Sequence, residues 1–390
     1  MDSRGSRAEA AAALMARFAE RTGLAPIAEG RRYLWTDAFA VCNYISLARS
    51  TGDAHAGELA LELVDRVHHA LGRHRHDDRR HGRISGLGEL EGDAHPTLGG
   101  LRIGKDLPER TRHEPFDESL EWDRDGQYFH YLTKWMHALD QASRFAGRPE
   151  LNVWARELAR VAHGAFCYGL PGDRRRMYWK MSIDLTHPQV RTMGQHDPLD
   201  GYITCLQLEA TASALGAPNG PDLDAEVADF ASMLPGLNLA TVDALGIGGL
   251  LVDAYRTAQI GPRGPLPRDA LVDSLLGAAV AGLEQYAHLR ELHEPAEHRL
   301  AFRELGLAIG LHAATLLRDD TEAGARPGRR AWLDALRRHD HLRTEIEAFW
   351  VEPAHQRVPS WEEHLDINEV MLATSLMPTG FLRLEPAPKL

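Results

Sequence analysis

The sequence predicts an all-α protein in which six inner and six outer helices alternate, an (α/α)6 toroid. Three observations predict this fold class. Nearly every long segment of the 390 residues has helical periodicity, and runs that alternate β-branched and polar residues are missing. In addition, apolar helices rich in small residues alternate with charged, amphipathic ones. Because an apolar helix is buried on most sides and an amphipathic helix covers it, this alternation predicts two rings.

The inner helices are the apolar ones, and the outer helices are their amphipathic partners. The inner helices are predicted at residues 35–50, 126–145, 198–215, 242–259, 299–317 and 367–381. The outer helices are predicted at 8–22, 55–71, 150–166, from about 223, at 268–286 and at 329–349. Glycines and prolines end them, as in Gly147-Arg148-Pro149 and at residues 216–218. The twelve helices form one predicted domain, residues 1–390.

Loop lengths predict which end of the toroid is functional. The turns from inner to outer helices are short, whereas the connections at about 72–125 and 167–197 are long. Long loops on a rigid scaffold are where binding and catalytic residues concentrate. The sequence therefore predicts an active face at the N-termini of the inner helices.

Composition narrows the class of partner and the compartment. The net charge of −12 argues against nucleic acid and anionic membranes, which need clustered cations. The three cysteines, Cys42, Cys167 and Cys205, are odd in number and lack CxxC spacing, so neither disulfides nor a four-cysteine zinc site is predicted. Residues 1–20 lack an apolar run typical of a signal peptide. We expect a cytoplasmic protein without a metal or cofactor.

Histidine is enriched, with 21 residues, several of them between His68 and His113. A metal site in this segment would need a paired spacing such as HxxxH or HExxH, which is absent there. The segment is therefore interpreted as a solvated polar loop, with its role left open.

The succession of apolar and amphipathic helix pairs resembles the six-hairpin carbohydrate-active enzymes. This superfamily includes glucoamylase-like glycosidases, unsaturated glucuronyl hydrolases and the N-acylglucosamine 2-epimerase group. The resemblance covers nearly the whole chain as architecture and includes no family-specific catalytic motif. It implies a sugar bound in the central funnel, so the predicted partner is a small saccharide.

The entrances to the first two inner helices carry tryptophans beside carboxylates. Trp35 and Asp37 enter the first, although Asp37 also suits the first turn of a helix. The second entrance reads Glu-Trp-Asp-Arg-Asp, and an aromatic stripe with a lysine follows it. Such a density of charges is costly to bury without pairing or a ligand. The candidates here are Trp122, Asp123, Asp125, Tyr128, Tyr131 and Lys134.

Two further entrances and one loop supply the remaining candidates. Asp197 precedes a proline and is interpreted as a helix start, whereas His196 and Asp200 stay candidate site residues. Trp179 and His187 lie in the connection before the third inner helix. Trp361, Glu363 and His364 lie before the sixth, and Arg102 lies in the connection at about 72–125.

Two chemistries remain open at this stage. A glycoside hydrolase would use a pair of carboxylates drawn from Asp37, Asp123, Asp125, Asp200 and Glu363. The sugar subsites would be Trp35, Trp122, Trp179 and Trp361. A sugar epimerase or isomerase would use histidine bases, drawn from His187, His196, His298 and His364. The hydrolase is placed first. A non-catalytic helical binding scaffold is the third alternative.

Overall fold

The computed structural model of the chain consists mainly of helices, as predicted. It describes residues 3–26, 28, 30–169, 175–216, 219–320 and 324–385. The longer helices are α1 (Ser3–Arg21), α2 (Leu34–Thr51), α3 (Ala54–Leu71), α6 (Phe129–Ala146), α7 (Pro149–Phe166), α8 (Asp197–Ala214), α9 (Asp224–Met233), α10 (Ala244–Gln259), α11 (Arg268–Leu289), α12 (Ala301–Asp319), α13 (Pro327–Arg337), α14 (Asp340–Val351) and α16 (Leu365–Leu376). The short helices are α4 (Glu89–Ala94), α5 (Glu118–Asp123), α15 (Pro359–Glu362) and α17 (Thr379–Leu382).

Each of the twelve predicted helices corresponds to an observed one, with two divisions. The predicted helix at 367–381 is interrupted at residues 377 and 378 and forms α16 and α17. The predicted helix at 329–349 is interrupted near residue 339 and forms α13 and α14. Gly147 ends α6 in the left-handed conformation, at a φ of 63°, which glycine adopts without steric cost. Within the predicted turn at 216–218, residues 217 and 218 lie outside the described residues.

Among the described residues, five very short strands lie between the helices. The strands β1 (Gln127–Tyr128), β4 (Lys180–Met181) and β5 (Pro188–Val190) form an antiparallel sheet in the order β1-β4-β5. Tyr128 pairs with Lys180 in this sheet. The strands β2 (Cys167–Tyr168) and β3 (Arg176–Met177) form a second antiparallel pair. Two or three residues carry no period-2 signal, which is why the sequence predicts none of these strands.

The chain forms two compact units. Unit 1 comprises Met1–Glu20, Asn43–Ala56 and Asn238–Leu384. In it α12 packs against α10, α14 and α16, and α11 packs against α10 and α13. Unit 2 comprises Arg21–Cys42, Gly57–Leu237 and Glu385–Leu390. Its centre is the packing of α6 against α7 and α8, and α9 packs against α8.

None of the described helices combines the length and the apolar character that crossing a bilayer requires.

Candidate active site

A row of aromatic rings in unit 2 brings together many of the residues that the sequence singles out. Trp122 contacts Trp179 with ring centroids 5.1 Å apart, and Trp179 contacts Tyr128 at 5.1 Å. Tyr128 then contacts Tyr131 at 5.2 Å. Trp122 is 51% exposed, whereas Tyr128 is buried, so the row runs from the protein surface inward.

The row continues through a pair of tyrosines. The hydroxyls of Tyr33 and Tyr131 are hydrogen-bonded at 2.7 Å. Trp35 lies beyond them, with its ring centroid 6.5 Å from that of Tyr131. Burial raises the pKa of Tyr33 to about 12 and also raises the pKa of Tyr131, so both hydroxyls are neutral near pH 7. The ammonium group of Lys105 lies 5.6 Å from the centre of the Tyr33 ring.

Backbone pairing and a buried lysine hold the outer part of the row. Trp179 directly precedes strand β4, which pairs with β1 and so places Trp179 beside Tyr128. Lys180 is fully buried, and its ammonium group donates to Glu121 Oε1 at 2.9 Å and to the Glu121 and Arg124 carbonyls at 2.7 and 2.8 Å. A buried ammonium with three acceptors is satisfied and rigid. Trp122, beside Glu121 in the chain, is anchored in this way.

Two carboxylates on α8 lie near Lys134, which follows Tyr131 on α6. Lys134, one turn after Tyr131 on α6, donates to both carboxylate oxygens of Asp200 at 3.2 and 3.3 Å. Asp197, one turn before Asp200, is buried and accepts a hydrogen bond from the Gly194 amide at 3.2 Å. Burial, reinforced by the charge of Asp200, raises the pKa of Asp197 to about 7. Near neutrality one carboxyl group is therefore about half protonated beside a carboxylate stabilised by an ammonium.

His130 connects the rings to the carboxylates. Its imidazole stacks on Trp179 with an interplanar angle of 12° and contacts Tyr131 with ring centroids 4.8 Å apart. Desolvation lowers the pKa of His130 to about 4, although the charge of Asp200 opposes this shift. The imidazole is therefore neutral at pH 7 and can accept a proton.

Three of the predicted site residues are held in structural contacts. Asp125 is fully buried and accepts hydrogen bonds from Arg102 Nη1 at 2.9 Å and from the Gly104 amide at 2.9 Å. Asp37 is ion-paired with Arg32 at 3.4 Å. Because their charges are already compensated, Asp37, Asp125 and Arg102 are less suited to chemistry than the pair on α8.

Three other predicted residues of unit 2 have different surroundings. Asp123 is exposed, and its charge acts on the pKa of both Tyr128 and Lys105, which places it near the row. His196 is the residue before the first turn of α8. His187 lines a separate cavity of about 340 Å³ that also includes Arg75, Arg80 and Glu109.

The remaining predicted residues belong to unit 1. Trp361 is buried and stacks on Trp350 with ring centroids 5.5 Å apart, as a core residue does. Glu363 is exposed, and His364 precedes α16 with its ring edge toward Phe302 at 5.6 Å. Their participation in a site stays a prediction.

The histidine-rich segment contributes partly to the core of unit 2. His68 Nε2 accepts a hydrogen bond from Trp135 Nε1 at 3.1 Å, and burial lowers its pKa to about 3. His68 also borders a cavity of about 620 Å³, together with Arg66, Arg83 and Trp154. The cations of this cavity are paired, Arg66 with Glu62 at 2.7 Å and Arg83 with Asp93. This cavity is larger than the one at His187, but its lining includes neither the aromatic row nor Asp197. We therefore place the candidate site at the row.

Four members of this site are not among the residues that the sequence predicts for it: Tyr33, Lys105, His130 and Asp197. Asp197 is indeed at a helix start, and its local sequence context explains that role completely. Its raised pKa depends on burial and on Asp200, neither of which a spacing pattern reveals. Tyr33 was detectable in principle, since it stands two residues before Trp35 in the same entrance.

A scan against protein-family models and searches of the curated proteins and of the solved structures found no match to this chain.

Proposed function

We propose that this chain is a carbohydrate-active enzyme, a glycoside hydrolase that acts on a small saccharide. The observation that carries the proposal is the aromatic row that leads from exposed Trp122 to the Asp197 and Asp200 pair. Sugar rings have apolar faces that stack on aromatic side chains and polar edges that bind carboxylates. Trp122, Trp179 and Tyr128 are the proposed sugar subsites.

The two carboxyl groups differ in the way that glycoside hydrolysis requires. In the proposal Asp197 is the general acid, because a carboxyl group with a pKa of about 7 still carries a proton near neutrality. Asp200 is the ionised partner, because the Lys134 ammonium stabilises its negative charge. Catalytic pairs of carboxyl groups typically have environments that push the two pKa values apart.

The position of both groups on one helix favours a retaining mechanism. Residues three apart on a helix are neighbours on its surface, with Cβ atoms about 5–6 Å apart, so their carboxyl groups can reach the roughly 5 Å separation that retaining enzymes use. Asp200 would attack the anomeric carbon while the glycosidic C–O bond breaks and Asp197 protonates the leaving oxygen. Water would then cleave the glycosyl ester, giving its proton to Asp197 and its oxygen to the sugar.

One observation favours a sugar epimerase or isomerase as the second candidate. The neutral imidazole of His130 lies among the rings, and the charge of Asp200 acts on it. A neutral imidazole can remove a proton next to a carbonyl group. This histidine takes the place of the bases that the sequence predicts.

Proton NMR in deuterated buffer, with a panel of mono- and disaccharides, tests the proposal. We expect a free reducing sugar whose first anomer matches that of the substrate, with no deuterium at C2, and loss of this signal in Asp197→Asn and Asp200→Asn. Deuterium entering C2 without cleavage would replace the hydrolase by the epimerase. Binding without turnover across the panel would favour the non-catalytic scaffold.

The proposal has an architectural and a cellular part. The order of apolar and amphipathic helices supports a toroid of six inner and six outer helices. Cys42, Cys167 and Cys205 are buried and form no disulfide, which supports a reducing compartment, and we propose the cytoplasm.

A further inference from the structure

Three potential metal ligands of different chemistry converge at the C-terminal end of α7. His163 and Cys167 lie one helical turn apart, and Asp229 faces them from α9. Each residue offers one ligand atom, and these three atoms lie within 4.8 Å of one another. The cluster lies within unit 2, and none of its members belongs to the candidate active site.

Hydrogen bonds already hold the ligands in place. His163 Nε2 and Asp229 Oδ2 are 2.6 Å apart, and Arg175 binds the same Oδ2 from its Nε and Nη2 atoms at 3.1 and 3.0 Å. The ring of Phe230 packs edge-on against the imidazole, with centroids 5.1 Å apart. Cys167 is buried, and it is both the residue that ends α7 and the first residue of strand β2.

The surroundings of the thiol argue against its being an activated nucleophile. Burial and the charge of Asp229 raise the pKa of Cys167, so the thiol stays protonated at neutral pH. Reactive cysteines have depressed pKa values instead. A divalent cation would reverse this situation, because a coordinating thiol loses its proton outright.

We propose that His163, Cys167 and Asp229 form a zinc site with solvent as the fourth ligand. Imidazole, thiolate and carboxylate are the donors that Zn²⁺ binds in proteins, and three protein ligands with an exchangeable position are an established coordination. Ligand atoms on such an ion are about 3.5 Å apart, so small side-chain rotations bring the cluster to this geometry.

Arg175 is a positioning residue in this proposal. Arg175 keeps its bonds to Asp229 Oδ2 when the other carboxylate oxygen, Oδ1, ligates the metal. The guanidinium therefore orients the carboxylate from the side opposite the ion. Partners of this kind, which bind the ligand rather than the ion, typically change metal affinity by about 10- to 100-fold.

Titration of the full-length metal-free protein with Co²⁺ tests the site, because a cobalt–thiolate bond has a near-ultraviolet charge-transfer band. We expect one equivalent to produce this band together with visible bands of tetrahedral Co²⁺, and one equivalent of Zn²⁺ to remove both. Cys167→Ser should abolish the charge-transfer band. Cys205→Ser is the matched control, since Cys205 is another buried cysteine of unit 2, and it should retain the band.

Further variants separate ligation from folding. His163→Gln and Asp229→Asn should weaken Co²⁺ binding at least tenfold, and Arg175→Gln should weaken it about 10- to 100-fold while the charge-transfer band persists. Circular dichroism of each metal-free variant reports whether the fold is retained. Absence of the band in the wild-type protein, or its persistence in folded Cys167→Ser, would overturn the proposal. The hydrolase proposal does not depend on this outcome.

Discussion

Asp197 illustrates how one residue serves a structural and a chemical purpose. As the first residue of α8 it occupies a position that favours negative charge, through the helix dipole. Burial outweighs this effect and raises its pKa to about 7. Because the folded state disfavours the ionised carboxylate, Asp197 lowers the free energy of unfolding at neutral pH.

The first prediction concerns the stability of Asp197→Asn as a function of pH. The folded pKa of about 7 lies above the usual 3.8, so the folded state binds more protons, and wild-type stability decreases as pH rises from about 4 to 7. The shift in pKa corresponds to a loss of stability on the order of 4 kcal/mol.

Asparagine has the same shape as aspartate and can still accept the Gly194 hydrogen bond. We expect Asp197→Asn to be more stable than the wild type at pH 7 and to have a flatter pH profile, measured by urea unfolding from pH 4 to pH 8. Equal pH profiles for the two proteins would contradict the raised pKa.

The second prediction concerns the middle of the aromatic row. Trp179 contacts both Trp122 and Tyr128, so Trp179→Ala should remove a stacking surface and weaken saccharide binding about tenfold, equivalent to about 1.4 kcal/mol. Isothermal titration calorimetry with a saccharide identified by NMR measures the change. Trp332→Ala is the control, since this partly exposed tryptophan belongs to unit 1. The saccharide affinity of this variant should equal that of the wild type. Equal losses in the two variants would rule out a specific role for the row.

At the scale of elements, close helix packing in unit 1 depends on glycines. A Cβ atom added to Gly248 on α10 would lie 2.1 Å from the carbonyl oxygen of Gly306 on α12. A Cβ atom added to Gly310 would lie 2.5 Å from the Cα of Gly248. The two backbones therefore touch where the side chains are absent.

The third prediction follows from this contact. Gly248→Ala should separate α10 from α12 and destabilise the protein by about 3 kcal/mol or more, because backbone atoms cannot yield as a flexible side chain can. Gly249→Ala, at the next position, meets no atom within 4 Å and should stabilise α10 by up to about 1 kcal/mol. Denaturant unfolding of both variants measures the difference. Destabilisation of both variants by the same amount would contradict a specific role for the close contact between Gly248 and Gly306.

At the scale of the molecule, unit 1 joins the N-terminal helix to elements near the C-terminus. Arg7 on α1 forms a two-pronged ion pair with Glu347 on α14, at 2.7 and 3.0 Å. The buried Ser375 on α16 donates to the same carboxylate at 2.8 Å. Arg17 adds a bond to Glu369 at 2.8 Å. Unit 1 is therefore completed only when the N-terminal segment docks.

The fourth prediction tests this closure. Glu347→Ala removes the carboxylate that accepts from Arg7 and Ser375 and leaves Arg7 its bonds to the Ser375 and Leu376 carbonyls. It should destabilise the protein by about 2–4 kcal/mol. Hydrogen exchange should show lost protection in α1, more than 300 residues away in the chain. The control is Glu345→Ala, an exposed carboxylate of the same helix, which should change stability by less than about 0.5 kcal/mol. Unchanged exchange in α1 would show that its docking does not depend on Glu347.

Local patterns were sufficient for the positions of the helices. Periodicity and breakers such as Gly147 act within a few residues, so the twelve predicted segments correspond to observed helices. The divisions near residue 339 and at residues 377 and 378 were missed, as were the short strands in the described part of the chain. The strands carry no periodic signal and depend on pairing partners such as Lys180 for Tyr128, which lie 52 residues apart.

The sequence by itself determined the helical class and the approximate positions of the helices, because helix formation and chain breaks depend on neighbours in the chain. Only the tertiary structure decided which polar groups have their charge compensated and which do not. It pairs Asp125 with Arg102, leaves Asp197 buried with a raised pKa, and brings Asp229 to His163 and Cys167. Burial and charge compensation are sums over residues distant in sequence, and spacing along the chain does not contain them.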